Sequence, residues 1–426
     1  MHILVLVPVP MASSRCRVNQ GTSRSPAVAS VWAPMAQAKT AVSGLTLTAD
    51  RHPSPRRASG TRRSSAAIRA MAPKLDQAIR SRTEPNGLDR KPVSIEKSKD
   101  RKPAKGLGPL GSFIRQHFAV CYYVFHSFLF MAILWWCLSH WRAFWPMIIA
   151  YSIHMWMDRH TARTGGTDRY QWVLDLPLWS WYADYFSLQL VRTTPLNPDG
   201  NYLFGYHPHG IYVFGTPILV TNQCNFRELY PNIKLRIGTL DLNFYAPLWR
   251  EMQLAMKLIS VSAESIKTVL KKGPGWSVAL VIGGAQESML AYPGTNDLVL
   301  KRRRGFVRIA IETGAALVPI FVFGENDLYY QTTPERNPKV TAFQKWLQKR
   351  CGFSVPFGYG KFGWIPRRRK LTAVVGAPIH VQKQDCPPKE YIEEMHAKYI
   401  QSLAKLYDTY KDEYASDRIR DMRIVQ

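Results

Sequence analysis

Hydrophobic and polar positions divide this chain into a polar leader, a long apolar stretch and a region of alternating pattern. Phe118 to Leu138 is 21 residues without Lys, Arg, Asp or Glu, which reaches the roughly 20 that an α-helix needs to cross about 30 Å of hydrocarbon. Ser139-His140-Trp141-Arg142 interrupts it, and Ala143 to Met157 resumes for 15 charge-free residues before Asp158-Arg159-His160. The pattern predicts a helical hairpin, either two tilted transmembrane helices or a re-entrant loop, because the second arm is short for a full span. Trp135, Trp136, Trp141 and Trp145 surround the break, as an aromatic belt at a membrane interface would. Lys and Arg are dense before the first arm and return at Arg159, Arg163 and Arg169, whereas the break holds only Arg142. Both ends of the hairpin are therefore expected on the cytosolic side.

From about residue 160 short apolar runs alternate with helical stretches, the pattern of an α/β domain. Strands are expected at Leu203 to Tyr206, Leu235 to Leu240, Ser277 to Ile282, Leu317 to Phe323 and Leu371 to Val375. A helix is expected over Phe306 to Thr313, where Val307, Ala310 and Ile311 share a face and Gly314 suits a left-handed stop. Pro387-Pro388 opens an amphipathic helix through Tyr410, with Ile392, Met395, Tyr399, Leu403 and Leu406 on one side as a packing stripe.

Charge changes the picture at the N-terminus. Of the formal net charge of +27, the first 105 residues supply 20 Lys or Arg against six acids, an excess of 14. That segment is rich in Ser, Ala, Pro and Arg with little apolar periodicity, so it reads as disordered. No acid precedes Asp50, which gives an organelle transit peptide as the alternative to a basic tail. No base-reading module follows the basic arm, so nucleic-acid binding is not expected. The six cysteines lack paired spacing, which argues against a disulfide framework. The resulting division is a leader over 1–106, a membrane hairpin over 107–160, an α/β domain over 161–385 and a C-terminal helix packed on it over 386–426.

The most informative cluster is His207-Pro208-His209-Gly210 at the end of the Leu203 to Tyr206 strand. Imidazole titrates nearest neutrality, so at a strand end beside a pocket it can take a proton from an alcohol. Two histidines at i and i+2 also resemble a metal site, but no CxxC, HExxH or Cys/His cluster supplies further ligands, so no metal is assigned. Glu287 follows the strand Val278 to Ile282 through Gly283-Gly284-Ala285, and a carboxylate there could fix an imidazole tautomer. Glu325 and Asp327 are rival partners. Lys301-Arg302-Arg303-Arg304-Gly305 runs into a helix start, where free amides and cations bind anions. A histidine base, a carboxylate, a phosphate-binding run and a membrane hairpin together suit an apolar alcohol acceptor and a phosphate-bearing donor such as a coenzyme A thioester. A covalent step on Cys224 lacks a surrounding nucleophile motif.

Tyr206-His207-Pro208-His209-Gly210, Gly283-Gly284-Ala285-Gln286-Glu287-Ser288, Arg303-Arg304-Gly305-Phe306-Val307, and Gly314 to Pro319 with Phe323-Gly324-Glu325-Asn326-Asp327 resemble the type 2 diacylglycerol acyltransferase family, which includes monoacylglycerol acyltransferases and wax synthases. The likeness runs from about Phe113 to Tyr410 and leaves out the first 105 residues. It implies a membrane-anchored, glycerolipid-acyltransferase-like α/β domain in the endoplasmic reticulum membrane, associated with lipid droplets, with the plastid envelope as the alternative set by the leader. It implies acyl-CoA and diacylglycerol as substrates, triacylglycerol as product and no tightly bound cofactor, with monoacylglycerol or a fatty alcohol as alternative acceptors. Membrane lipid is a further partner, and self-association into a homo-oligomer is compatible. His207 and His209 match the family's essential histidines. His209 is expected to be the base with Glu287 its partner, Arg303, Arg304 and Gly305 to hold phosphate, and amides of Gly210, Gly283 and Gly284 to face the oxyanion. Related glycerol-phosphate acyltransferases carry an aspartate five positions after the histidine, where this chain has Tyr212 and Phe214. It also has Tyr185-Phe186-Ser187 where relatives often carry Tyr-Phe-Pro, and Gln286 where Gly-Gly-Ala-Ala-Glu is common. A basic membrane scaffold without catalysis and a two-histidine metalloenzyme are the competing classes.

Overall fold

The computed structural model describes residues 95–98, 108–331, 337–351 and 358–425. The tail and transit-peptide readings of the leader fall on residues outside these, except at one point. Glu96–Lys97, expected to be disordered, forms an edge strand (β1) antiparallel to Gln189–Arg192 (β2).

The centre is an eight-stranded mixed sheet. To β1 and β2 it adds Tyr202–His207 (β3), Lys234–Thr239 (β4), Leu258–Ser260 (β5), Trp276–Val281 (β6), Ala316–Phe323 (β7) and Thr372–Val375 (β8), in the order β1-β2-β8-β7-β3-β6-β4-β5. The five expected strands all form, each within one residue of its expected limits. β1, β2 and β5 were not anticipated, because two to four residues are too few for an alternation to register. β3 lies parallel to both β6 and β7, while β8 runs antiparallel to β7. Strands buried on both faces are near-continuous apolar runs, and β7 (ALVPIFVF) is buried along its whole length.

Side-chain alternation sends the two faces of each strand to different cores. Phe204, Tyr206, Val318, Ile320 and Val322 join the core that includes the first helix, whereas Leu203, Leu317, Phe321 and Phe323 join the core under the C-terminal helix. That first helix, α1, is Pro109–Ser139, apolar and long enough to cross a membrane. Its N-terminal half packs on Pro177–Phe186 (α3), burying Ala119, Val120 and Val124. Its C-terminal half exposes Phe128, Leu129, Ile133, Trp135 and Trp136. After His140 the chain continues as Trp141–Met157 (α2), with no buried residue. Seventeen residues rise only about 25 Å. Tyr151 of α2 donates to Glu251 at 2.5 Å and Asp158 accepts from the buried Arg250 at 2.7 Å, which ties α2 to Trp249–Ala255 (α4).

Four more helices complete the site: Ala263–Leu270 (α5), Gly284–Ser288 (α6), Gly305–Thr313 (α7) and Lys389–Tyr414 (α8). Gly314 stops α7 at φ 77°, as its position suggested. Ser187 ends α3 at φ 46°. Proline, locked near −65°, cannot take that angle, so this turn requires a residue other than proline at 187. Cys121 and Cys137 are free thiols and Cys386 is disulfide-bonded.

Candidate active site

Parallel α/β sheets build sites beyond the carboxyl ends of their strands. Here the ends of β3, β4 and β6 open on a cavity of about 630 Å³, the size of a site for one small organic ligand. Its walls are mostly apolar, with Leu240, Trp249, Met252, Met256 and Ile282 among them, and α1 closes one side with Tyr123 and His126. The ring of His126 stacks on Trp249 at 4.8 Å. One part of the wall is charged, carrying Lys267, Arg303 and Arg308 against a single carboxylate, Glu312.

His209 lines this cavity and His207 does not. β3 ends at His207, and parity along the strand sends that side chain toward α8, where Nε2 meets the Tyr399 hydroxyl at 3.0 Å. The chain then turns, so the i, i+2 rule for a shared face no longer holds. His209 Nδ1 lies 2.9 Å from the Gly210 carbonyl. A carbonyl only accepts, so Nδ1 carries the proton and Nε2 keeps its lone pair. That Nε2 is buried without a protein partner. Burial lowers the His209 imidazole to about 4 and His207 to about 3, so both are neutral at physiological pH.

The carboxylates hold the backbone of this turn. Glu287 accepts from the His209 N–H at 2.7 Å and from the Val299 N–H at 2.8 Å. It does not meet the imidazole, which corrects the expected carboxylate–imidazole contact: the Gly210 carbonyl occupies Nδ1 instead. Glu325 accepts from the N–H groups of Phe214 and Gly215 at 2.5 and 2.9 Å and from the Tyr206 hydroxyl at 2.8 Å. Burial raises both carboxyls to about 7 against the opposing pull of these hydrogen bonds. Gly210 sits at φ 61°, and a Cβ there would come within 2.7 Å of Glu325 Cγ. At Gly283 a Cβ would come within 2.1 Å of Glu287 Oε2. These glycines let the carboxylates approach the turn. Asp327, the other rival, accepts from the Gly294 N–H at 2.7 Å, outside the cavity lining.

Of the expected phosphate-binding residues, Arg303 and Gly305 line the cavity, whereas Arg304 points to α8 and lies 3.7 Å from Glu393. Both arginines precede the first residue of α7, and the loop that leads into the helix turns Arg303 to the cavity and Arg304 to α8. Arg303 is held by neutral acceptors, Gln286 Oε1 at 3.0 Å and the Gly283 carbonyl at 3.4 Å. Gln286 thus brings the departure from Gly-Gly-Ala-Ala-Glu to the cation. Among the described residues no group of three His, Cys, Asp or Glu is placed to hold a metal.

Residues 137–424 match the family described as Diacylglycerol acyltransferase. The chain belongs to that family. Diacylglycerol O-acyltransferase 2B of Umbelopsis ramanniana is 42% identical over 292 residues, covering 66% of this chain and 83% of its own. Diacylglycerol O-acyltransferase 1 of Schizosaccharomyces pombe is 40% identical over 289 residues, with the same two coverages. 2-Acylglycerol O-acyltransferase 1 of Bos taurus is 38% identical over 279 residues, covering 64% and 83%. No solved structure matches. The chain is accordingly an acyltransferase of this glycerolipid-active family, with a helix suited to membrane association.

Sequence reading missed several acyltransferase residues that the fold brings to the site. Lys267 and Arg308 gave no signal, being ordinary cations on amphipathic helices. His126 did give one, since an ionisable residue inside a charge-free apolar stretch marks function by default. Tyr399 was placed in a packing stripe, although a buried tyrosine hydroxyl usually has a partner. Tyr399→Phe should leave His207 Nε2 unsatisfied. We expect it to lower unfolding stability by about 1–3 kcal/mol with little change in the KM for the acyl donor. A stability equal to wild type in thermal unfolding would remove the link between α8 and the histidine turn.

Proposed function

We propose that the protein is an acyl-CoA-dependent O-acyltransferase that forms triacylglycerol from diacylglycerol, with His209 as general base. The observation that carries this reading is that His209, whose Nε2 has no protein partner, lines an apolar cavity walled partly by the long apolar helix and partly by cations. The acceptor hydroxyl gives its proton to Nε2 as its oxygen attacks the thioester carbonyl. The tetrahedral oxyanion faces backbone amides near Gly210 or Gly283-Gly284. When it collapses, the C–S bond breaks and the imidazolium proton passes to the thiolate, releasing the ester and free coenzyme A. Negative charge developing beside Nε2 favours the imidazolium that burial otherwise disfavours.

His207 and Glu287 act in this scheme as positioning residues, through Tyr399 and through the His209 amide. Arg303, Lys267 and Arg308 receive donor phosphates, and Gly305 adds the start of α7. Arg304 takes no part. The hairpin anchors the domain in the endoplasmic reticulum membrane with its catalytic face in the cytosol, so that the acceptor's acyl chains reach the cavity beside α1. Monoacylglycerol and fatty alcohols fit the same chemistry.

An acceptor panel tests the assignment. Full-length protein in microsomes of a triacylglycerol-deficient host, given labelled acyl-CoA, should convert diacylglycerol faster than monoacylglycerol or hexadecanol. Faster conversion of either alternative would reassign the acceptor, and no ester from any of the three would overturn acyl transfer in favour of a scaffold.

A further inference from the structure

Gly358–Tyr359 pairs with Tyr330–Gln331, and beyond it Gly360 and Gly363 close a tight turn through an antiparallel bridge. Phe362 stands at the tip with φ 51° and is 79% exposed. A left-handed conformation is unfavourable for a bulky residue and tends to persist where function holds it. Trp364, two residues on, is 56% exposed. Folding alone gives no reason to display two aromatic rings in water from a turn.

The surroundings identify what would cover them. Lys361 Nζ lies 5.3 Å from the Phe362 ring and 6.0 Å from the ring of Phe113 in the first two turns of α1. Leu110, Phe113 and Ile114 of those turns are themselves exposed. From residue 358 to 370 the sequence holds Lys361, Arg367, Arg368, Arg369 and Lys370 and no acid. Aromatic rings beside lysine and arginine suit the headgroup region of a bilayer, where cations meet anionic lipid. The patch is continuous with the helix that enters the membrane.

We propose that the turn 360–364 and the first two turns of α1 form a second membrane contact, in which Phe362 and Trp364 insert at the headgroup level and Lys361 engages anionic phospholipid. This surface is separate from the cavity and does not depend on the acyl-transfer reading. It would press the domain onto the bilayer beside the hairpin.

Hydrogen exchange on the full-length protein in nanodiscs provides the test, comparing phosphatidylcholine alone with phosphatidylcholine plus phosphatidylserine. Amides of 360–365 should exchange roughly fivefold more slowly with the anionic lipid, the factor expected for one cation near an anionic surface. Lys361→Gln and Phe362→Ser should each reduce that difference while the sheet exchanges as in wild type. Equal exchange in the two discs for the wild-type protein, or protection that appears only when a cytosolic protein fraction is added, would overturn the proposal.

Discussion

His209→Ala is expected to lower kcat by about 10²- to 10⁴-fold, the range for losing a positioned general base. The reason is specific to one nitrogen. His209 lines the cavity, its Nε2 is buried without a protein partner, and its Nδ1 is committed to the Gly210 carbonyl. With its proton on Nδ1 and its ionisation depressed by burial to about 4, the imidazole presents a lone pair throughout the physiological range. Alanine removes the base and also leaves the Gly210 carbonyl without its imidazole donor, a stability loss of about 1–3 kcal/mol that does not account for the fall in kcat. His207→Ala should behave differently, because it strips the partner from the Tyr399 hydroxyl inside the α8 core and should destabilise the fold. Labelled acyl-CoA with diacylglycerol in microsomes gives the rates, and thermal unfolding gives the stabilities. Output from His209→Ala within tenfold of wild type would sink its role as base.

Glu287→Gln is expected to lower kcat by roughly ten- to a hundredfold, although Glu287 does not touch the imidazole. One side-chain oxygen now serves two backbone donors, so either the His209 or the Val299 N–H faces an amide NH2. Leaving one buried donor unsatisfied costs about 1–3 kcal/mol, and the turn that aims Nε2 absorbs it. The same substitution has a signature in pH. Burial raises the Glu287 carboxyl to about 7 from its ordinary 4.5, so between those values the folded state binds a proton that the unfolded chain does not. Its contribution to stability is complete below about 4.5 and is lost as pH rises through about 7. Wild-type protein should therefore lose stability between pH 5 and pH 8, and Glu287→Gln should lose less. An unchanged slope in thermal unfolding across that range would show that Glu287 is not the titrating group.

Much of this was legible in the sequence because its signals are local. Continuous apolar runs determined the five core strands, a charge-free length determined the long apolar helix, and Gly314 marked the end of α7. Motif residues spaced along the chain determined the family. The same sequence also named His209, Glu287, Arg303 and Gly305, all of which the fold gathers at or against one cavity. It could not divide labour among them. Which histidine faces the cavity depends on where β3 stops and the chain turns, and which arginine faces it depends on the course of the loop that leads into α7. Glu287 meets an amide because Gly283 leaves it room. Tyr399 and His126 arrive from helices 192 residues after His207 and 83 residues before His209 in the numbering, a distance over which a linear pattern carries no information. Periodicity reports which face of an element is buried. Only packing reports what that face is buried against, and the chemistry of this site is set by those neighbours.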